Sequence, residues 1–88
     1  MSQPAVTVYV SDWCPYCRRA KDLLAQKSLT FDEINVDDDP KFREQMIARS
    51  NRRTVPQIFI GEKHVGGCDD LFALEERGEL DRLIQGAR

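Results

Sequence analysis

No stretch of this 88-residue sequence approaches the roughly 20 apolar residues of a membrane span, so no transmembrane helix and no membrane partner are expected. An excess of positive charge is missing too. Thirteen Lys and Arg stand against 15 Asp and Glu, for a net charge of −2, which gives no case for nucleic acid as a partner. The opening residues, MSQPAVTVYV, have no basic start and no long apolar block. No secretory signal is read there, and a cytoplasmic location is expected, where thiols stay reduced unless they cycle. Internal repeats and low-complexity segments are lacking. Cysteine is scarce, and its count of three is odd, which argues against a purely structural disulfide framework. The length suits one small domain over residues 1–88, expected to be monomeric.

What is present is a series of short, well-marked segments. AVTVYV (Ala5 to Val10) is rich in β-branched and aromatic residues and reads as a strand, central and covered on both faces. A turn holding Cys14 and Cys17 follows. Next comes a helix in which Ala20, Leu23 and Leu24 share a stripe, with Pro15 suited to its first turn. LTFDEINV reads as a second strand. The aspartates of DDDP suit a helix start, and Phe42, Met46 and Ile47 then repeat at helical spacing. SNRRT is a loop, VPQIFI a short buried strand opening at Pro56, and GEKHVGG its hairpin partner with Gly61 in the turn. CDDLFALEERG is a helix with acidic residues at its start and Gly78 at its end. Leu80, Leu83 and Ile84 suggest a last helical turn or two. The order βαβ, helix, β-hairpin, helix predicts an α/β fold: a four-stranded mixed sheet with helices on both faces.

Cys14 falls where the first strand ends and a helix begins. Helix N-termini carry partial positive charge and free N–H donors, and both favour a thiolate, so a depressed pKa is expected. Cys17 lies one turn along, near enough to close a disulfide but more buried. Cys14 is therefore read as the attacking thiol and Cys17 as the resolving one, with Arg18, Arg19 and Lys21 adding positive potential nearby. Two other readings compete. The pair could be small buried hydrophobes, or Cys14, Cys17, His64 and Cys68 could supply four zinc ligands. The strand–turn–helix context favours redox chemistry over the first. The long gap before His64 and Cys68 leaves the second without supporting geometry.

CPYC after a short strand, then TVPQIFI, then GGCDDL, stand in an order and at distances far more specific than a lone C-x-x-C. From Val6 to Leu83 the sequence resembles the dithiol class of glutaredoxins, in particular the small bacterial ones. The resemblance implies a thioredoxin fold and a glutathione-dependent thiol–disulfide oxidoreductase acting on protein disulfides and glutathionylated proteins. Glutathione would be the reducing co-substrate, with no tightly bound cofactor and no metal. It also implies residue roles. Pro56 would be cis and face Cys14, leaving the Val55 backbone to pair with the cysteinyl residue of glutathione. Gly67 would allow close approach, the N–H groups of Cys68 and Asp69 would bind the γ-glutamyl carboxylate, and Asp70 its ammonium, with Asp69 nearer the cap. Arg52 or Arg53, with Gln57, would meet the glycine carboxylate, and the choice here is Arg53. Thr54 belongs to the same stretch, and Tyr16 forms the groove wall. Two departures stand out: Ser11 replaces a frequent lysine, and Trp13 precedes Cys14 where thioredoxins carry the same dipeptide. Cys68 is read as a small packing residue beside the glycines, with oxidation the alternative. A different class of function, a glutathione-ligated iron–sulfur cluster carrier, is disfavoured by Pro15, because cluster carriers usually resemble monothiol proteins with glycine after the cysteine.

Overall fold

Alternation within VTVYV organises the molecule. A computed structural model describes residues 4–86, and in it this segment is strand β1 (Val6–Val10). The elements that follow are α1 (Pro15–Gln26), β2 (Asp32–Asn35), α2 (Pro40–Ser50), β3 (Gln57–Ile60), β4 (Lys63–Gly66), α3 (Cys68–Glu76) and α4 (Glu79–Gly86). The strands form one sheet of order β2-β1-β3-β4, with β1 parallel to β2 and antiparallel to β3, and β3 antiparallel to β4. The predicted mixed sheet of a βαβ unit plus a hairpin is therefore present, and β1 is central as expected.

Successive side chains of a strand point to opposite faces. Val6, Val8 and Val10 of β1 and Ile58 and Ile60 of β3 pack with Cys17, Ala20, Leu23 and Leu24 of α1, Leu71 and Leu74 of α3, and Leu80 of α4. Tyr9 and Phe59 turn to the other face and meet Val36, just after β2, and Met46, which α2 brings over the sheet. The first cluster is the larger, so the frame of α1 is anchored by most of the core.

Helix boundaries follow local chemistry. α1 opens on Pro15 with Cys14 as its N-cap. α2 opens on Pro40 with the Asp39 carboxylate accepting the Lys41 N–H at 2.9 Å, and closes on Asn51 in the left-handed region at φ 59°. The buried Ser50 hydroxyl donates to Met46 O at 2.7 Å and accepts the Arg52 N–H at 3.0 Å, which fixes where the following loop begins. Strand β2 is shorter than the eight residues predicted. Residues 29–31 are used to leave α1, with Leu29 N–H bonded to Leu24 O, and only Asp32–Asn35 reach register with β1. Lys27 at the end of α1 reaches Glu75 and Asp81, both at 2.8 Å, and so ties α1 to α3 and α4. No helix among the described residues is long and apolar enough to cross a membrane.

Candidate active site

The end of β1 and the start of α1 deliver the two cysteines. Cys14 keeps an extended backbone (φ −111°, ψ 101°) as N-cap, and its carbonyl accepts the Arg18 N–H at 3.1 Å to start the helical ladder. Its sulfur accepts the Cys17 N–H at 3.1 Å. This is the electrostatic arrangement expected at a helix start, where N–H donors without carbonyl partners surround the cap atom. Cys17 faces the core at 2% exposure, whereas Cys14 is half-buried at the surface. The two are joined as a disulfide. The predicted asymmetry between an accessible and a sequestered sulfur is present.

A second segment approaches from β3. The Val55–Pro56 peptide is cis, as the resemblance implied. The Val55 carbonyl oxygen lies 4.0 Å from Cys14 Sγ. Beside it runs a groove of about 200 Å³. Tyr16 forms one wall, Thr54, Val55 and Pro56 the floor, and the start of α3, from Gly67 to Asp70, the far end. The first-turn N–H groups of Cys68 and Asp69 have no preceding helical carbonyls to bond. Gly66 requires its lack of a side chain: at φ 120° a Cβ would run into the Asp70 carboxylate.

The groove gathers Tyr16, Thr54, Val55, Pro56, Gly67, Cys68, Asp69 and Asp70, and leaves out two residues assigned to it from sequence. Arg53 does not line it; Arg52 does, with Nη1 3.0 Å from Asp70 Oδ2. Gln57 is fully buried. Its amide nitrogen donates to Thr54 O (3.0 Å) and Thr54 Oγ1 (3.2 Å), and its oxygen meets His64 Nε2 at 2.7 Å. Because the Gln57 nitrogen is committed to Thr54, His64 Nε2 donates to the Gln57 oxygen. The side chain thus braces the Thr54–Pro56 segment from below. A polar residue opening a buried strand is the signal that could have revealed this, since a buried amide needs partners.

The helix cap is a further correction. Asp70, not Asp69, accepts the Gly67 N–H, at 2.9 Å, because a carboxylate three residues into a helix reaches back to the cap. This bond and the Arg52 guanidinium hold the Asp70 carboxyl below the usual carboxylate range. Asp70 is therefore an anion at neutral pH. Burial pushes the Cys68 thiol up, against the pull of Arg19. Burial, with Arg52 nearby, pushes His64 down. Among the described residues no group of three or more His, Cys, Asp and Glu is placed to hold a metal ion.

On the other side of Cys14 lies a larger hollow of about 490 Å³, reaching from both cysteines to Lys21, Glu33 and Asn35. Sequence reasoning missed it because it is built from the ends of β1, β2 and α1 together.

The geometry is that of a disulfide-linked pair, one sulfur accessible and one buried, beside a polar groove. Comparison with known proteins agrees. The family model described as Glutaredoxin matches residues 6–65. Glutaredoxin 3 of Escherichia coli strain K12 is 54% identical over 80 residues, covering 91% of this chain and 96% of the relative. The solution structure of glutaredoxin from Brucella melitensis aligns with a TM-score of 0.87 at 51% identity, covering 100% of this chain and 96% of that one. A crystal structure of a buckwheat glutaredoxin–glutathione complex aligns with a TM-score of 0.84 at 30% identity, covering 93% of this chain and 76% of that one. The sheet order and helix placement are accordingly those of the thioredoxin fold, and the chain belongs to the glutaredoxin family of thiol–disulfide oxidoreductases.

Proposed function

We propose that this oxidoreductase uses glutathione as its reductant and acts on both glutathionylated proteins and protein disulfides in the cytoplasm. The observation that carries the reading is the Val55–Pro56 segment facing Cys14, with the groove running from it to the start of α3. An extended tripeptide laid there has its backbone against Val55 and its cysteinyl sulfur at Cys14. The γ-glutamyl carboxylate meets the first-turn N–H groups of α3, and its ammonium meets the Asp70 anion. Arg52 is the cation nearest to hand for the glycine carboxylate once the ligand ammonium competes for Asp70. The buckwheat relative, solved as a complex with glutathione, supports the same use of the fold.

Two routes follow, and both conserve electrons. In the first, the Cys14 thiolate attacks the glutathione sulfur of a mixed disulfide. The Cys14–glutathione bond forms, the protein sulfur leaves as a thiolate and takes a proton from water. A second glutathione thiolate then attacks the bound glutathione sulfur, releasing glutathione disulfide and restoring Cys14. In the second, Cys14 attacks a protein disulfide. Cys17 loses its proton and displaces the protein, closing the Cys14–Cys17 disulfide, which two glutathione molecules reduce. One helical turn stacks Cys17 under Cys14, which supports this role. The cluster-carrier alternative is not favoured by the family match.

The deciding experiment supplies electrons either from glutathione with glutathione reductase or from thioredoxin reductase. Turnover with the first and none with the second is expected. The reverse would end the glutathione assignment.

A further inference from the structure

Trp13 is 99% exposed and sits at φ 57°, a conformation bulky residues rarely adopt. Nothing in the core explains either property, since the side chain packs against none of it. A large aromatic held out in a costly backbone state directly before the nucleophile calls for a role outside folding. It stands at the rim of the hollow of about 490 Å³ that reaches both cysteines. That hollow is lined by Cys14 and Cys17, whereas the smaller groove, which shares no lining residue with it, meets Cys14 through the Val55 carbonyl.

Disulfide exchange always joins two partners. If glutathione occupies the groove, as proposed above and as this inference requires, the polypeptide carrying the other sulfur needs its own surface. The hollow is continuous with the reacting sulfur and has the room. Its charges also discriminate. Lys21 is neutralised by Glu33 at 2.8 Å, and Asp12, which keeps its charge, is held by the Asn35 amide at 2.9 Å. Arg18 lines the same hollow, is exposed, and has no ion-pair partner among the described residues.

We infer that the Trp13-rimmed hollow is the docking surface for the polypeptide half of the substrate: an extended segment with a large apolar side chain beside its reacting cysteine, which covers Trp13, and an acidic side chain, which meets Arg18. The covalent step is unchanged. Cys14 bonds the glutathione sulfur, and the segment leaves as a thiolate that takes a proton from water. What the hollow adds is affinity for the segment before that step, because burying an exposed aromatic is favourable.

The test uses synthetic peptides with one cysteine carried as a glutathione mixed disulfide and flanked by leucine and glutamate, or by leucine and lysine. The small reference is the cysteine–glutathione mixed disulfide. Trp13→Ala should raise KM for the leucine–glutamate peptide about tenfold, the loss of roughly one well-buried contact. Turnover of the small reference should not change. Trp13→Asn, which tolerates the backbone conformation better, should behave the same way. Arg18→Glu should reverse the preference between the two peptides, a ratio from which any general effect on thiolate reactivity cancels. Peptide kinetics unaltered in both Trp13 variants, or peptide and small reference impaired alike, would overturn the inference. So would an unchanged peptide preference in Arg18→Glu. A parent enzyme inert toward the small reference would instead end the glutathione reading, and this inference with it.

Discussion

At the scale of single residues, the chemistry rests on an unequal pair of sulfurs. Cys14 caps α1 and Cys17 is buried one turn below it. The helix N–H groups should ionise the reduced Cys14 thiol at pH values where free cysteine, near 8.5, is still protonated. Alkylation rate against pH checks this, and a midpoint at the free-cysteine value would contradict the N-cap argument. Cys17→Ser should keep turnover of a small glutathione mixed disulfide and lose most dithiol reduction of protein disulfides, whereas Cys14→Ser should lose both. Equal inactivity of the two variants on the mixed disulfide would reverse or cancel the assignment of attacker and resolver. Asp70 is the groove anion that both caps α3 and pairs with Arg52. Its folded-state carboxyl is depressed, so its contribution to cap and groove is present above the ordinary carboxylate range and is lost as pH falls through the lowered value. Asp70 and Arg52 are each about half exposed, which limits the energy. Asp70→Asn should raise KM for glutathione about two- to fivefold. Arg52→Ala should do so by more than Arg53→Ala, because only Arg52 lines the groove.

At the scale of elements, one lysine joins three helices. Lys27 joins the end of α1 to α3 through Glu75 and to α4 through Asp81, with its side chain only 17% exposed. The bonds to Asp81 and Glu75 raise the Lys27 pKa above its ordinary 10.5. A raised folded-state value means stability fully present below the unfolded value and lost as pH rises through the folded one. Lys27→Met should therefore cost about 1 kcal/mol at neutral pH, a difference that shrinks above pH 10.5 and at high salt. Denaturant titrations of both proteins at pH 7 and above pH 10.5 would measure it. A pH-independent difference would mean that packing of the lysine stem, not charge, joins the helices.

At the scale of the molecule, one sheet separates two apolar layers of unequal size. Leu24 lies in the layer with α1, α3 and α4, and Met46 in the layer under α2, and both are fully buried. Leu24→Ala and Met46→Ala should each cost about 2–5 kcal/mol, from lost burial and the cavity left behind. Because the sheet lies between them and they share no cluster, the double variant should be additive to within about 0.5 kcal/mol. A coupling well above that, measured by urea unfolding, would mean that the two layers respond as one.

Much of this protein follows from neighbours along the chain. The β-branched and aromatic run VTVYV, the Pro15 and Asp39 helix starts and the stripe of Ala20, Leu23 and Leu24 are short-range patterns, and each recurs in the structure. The C-x-x-C at a strand-to-helix turn and the motifs TVPQIFI and GGCDDL carried the family for the same reason: their chemistry is local. Other features depend on which groups tertiary packing brings face to face. Arg52 and Arg53 are equivalent as letters, but Ser50 fixes the start of their loop so that Arg52 turns to Asp70. Gln57 reads as a ligand contact until β4 brings His64 over it and commits its amide to bracing Thr54. Asp70 replaces Asp69 at the cap because the reach of a carboxylate, not its order in the sequence, decides the bond. The hollow beside Trp13 exists only because β1 and β2 end where α1 begins. Periodicity determines what each element is, whereas the direction of a polar side chain is decided by partners far away in sequence, which only the folded chain supplies.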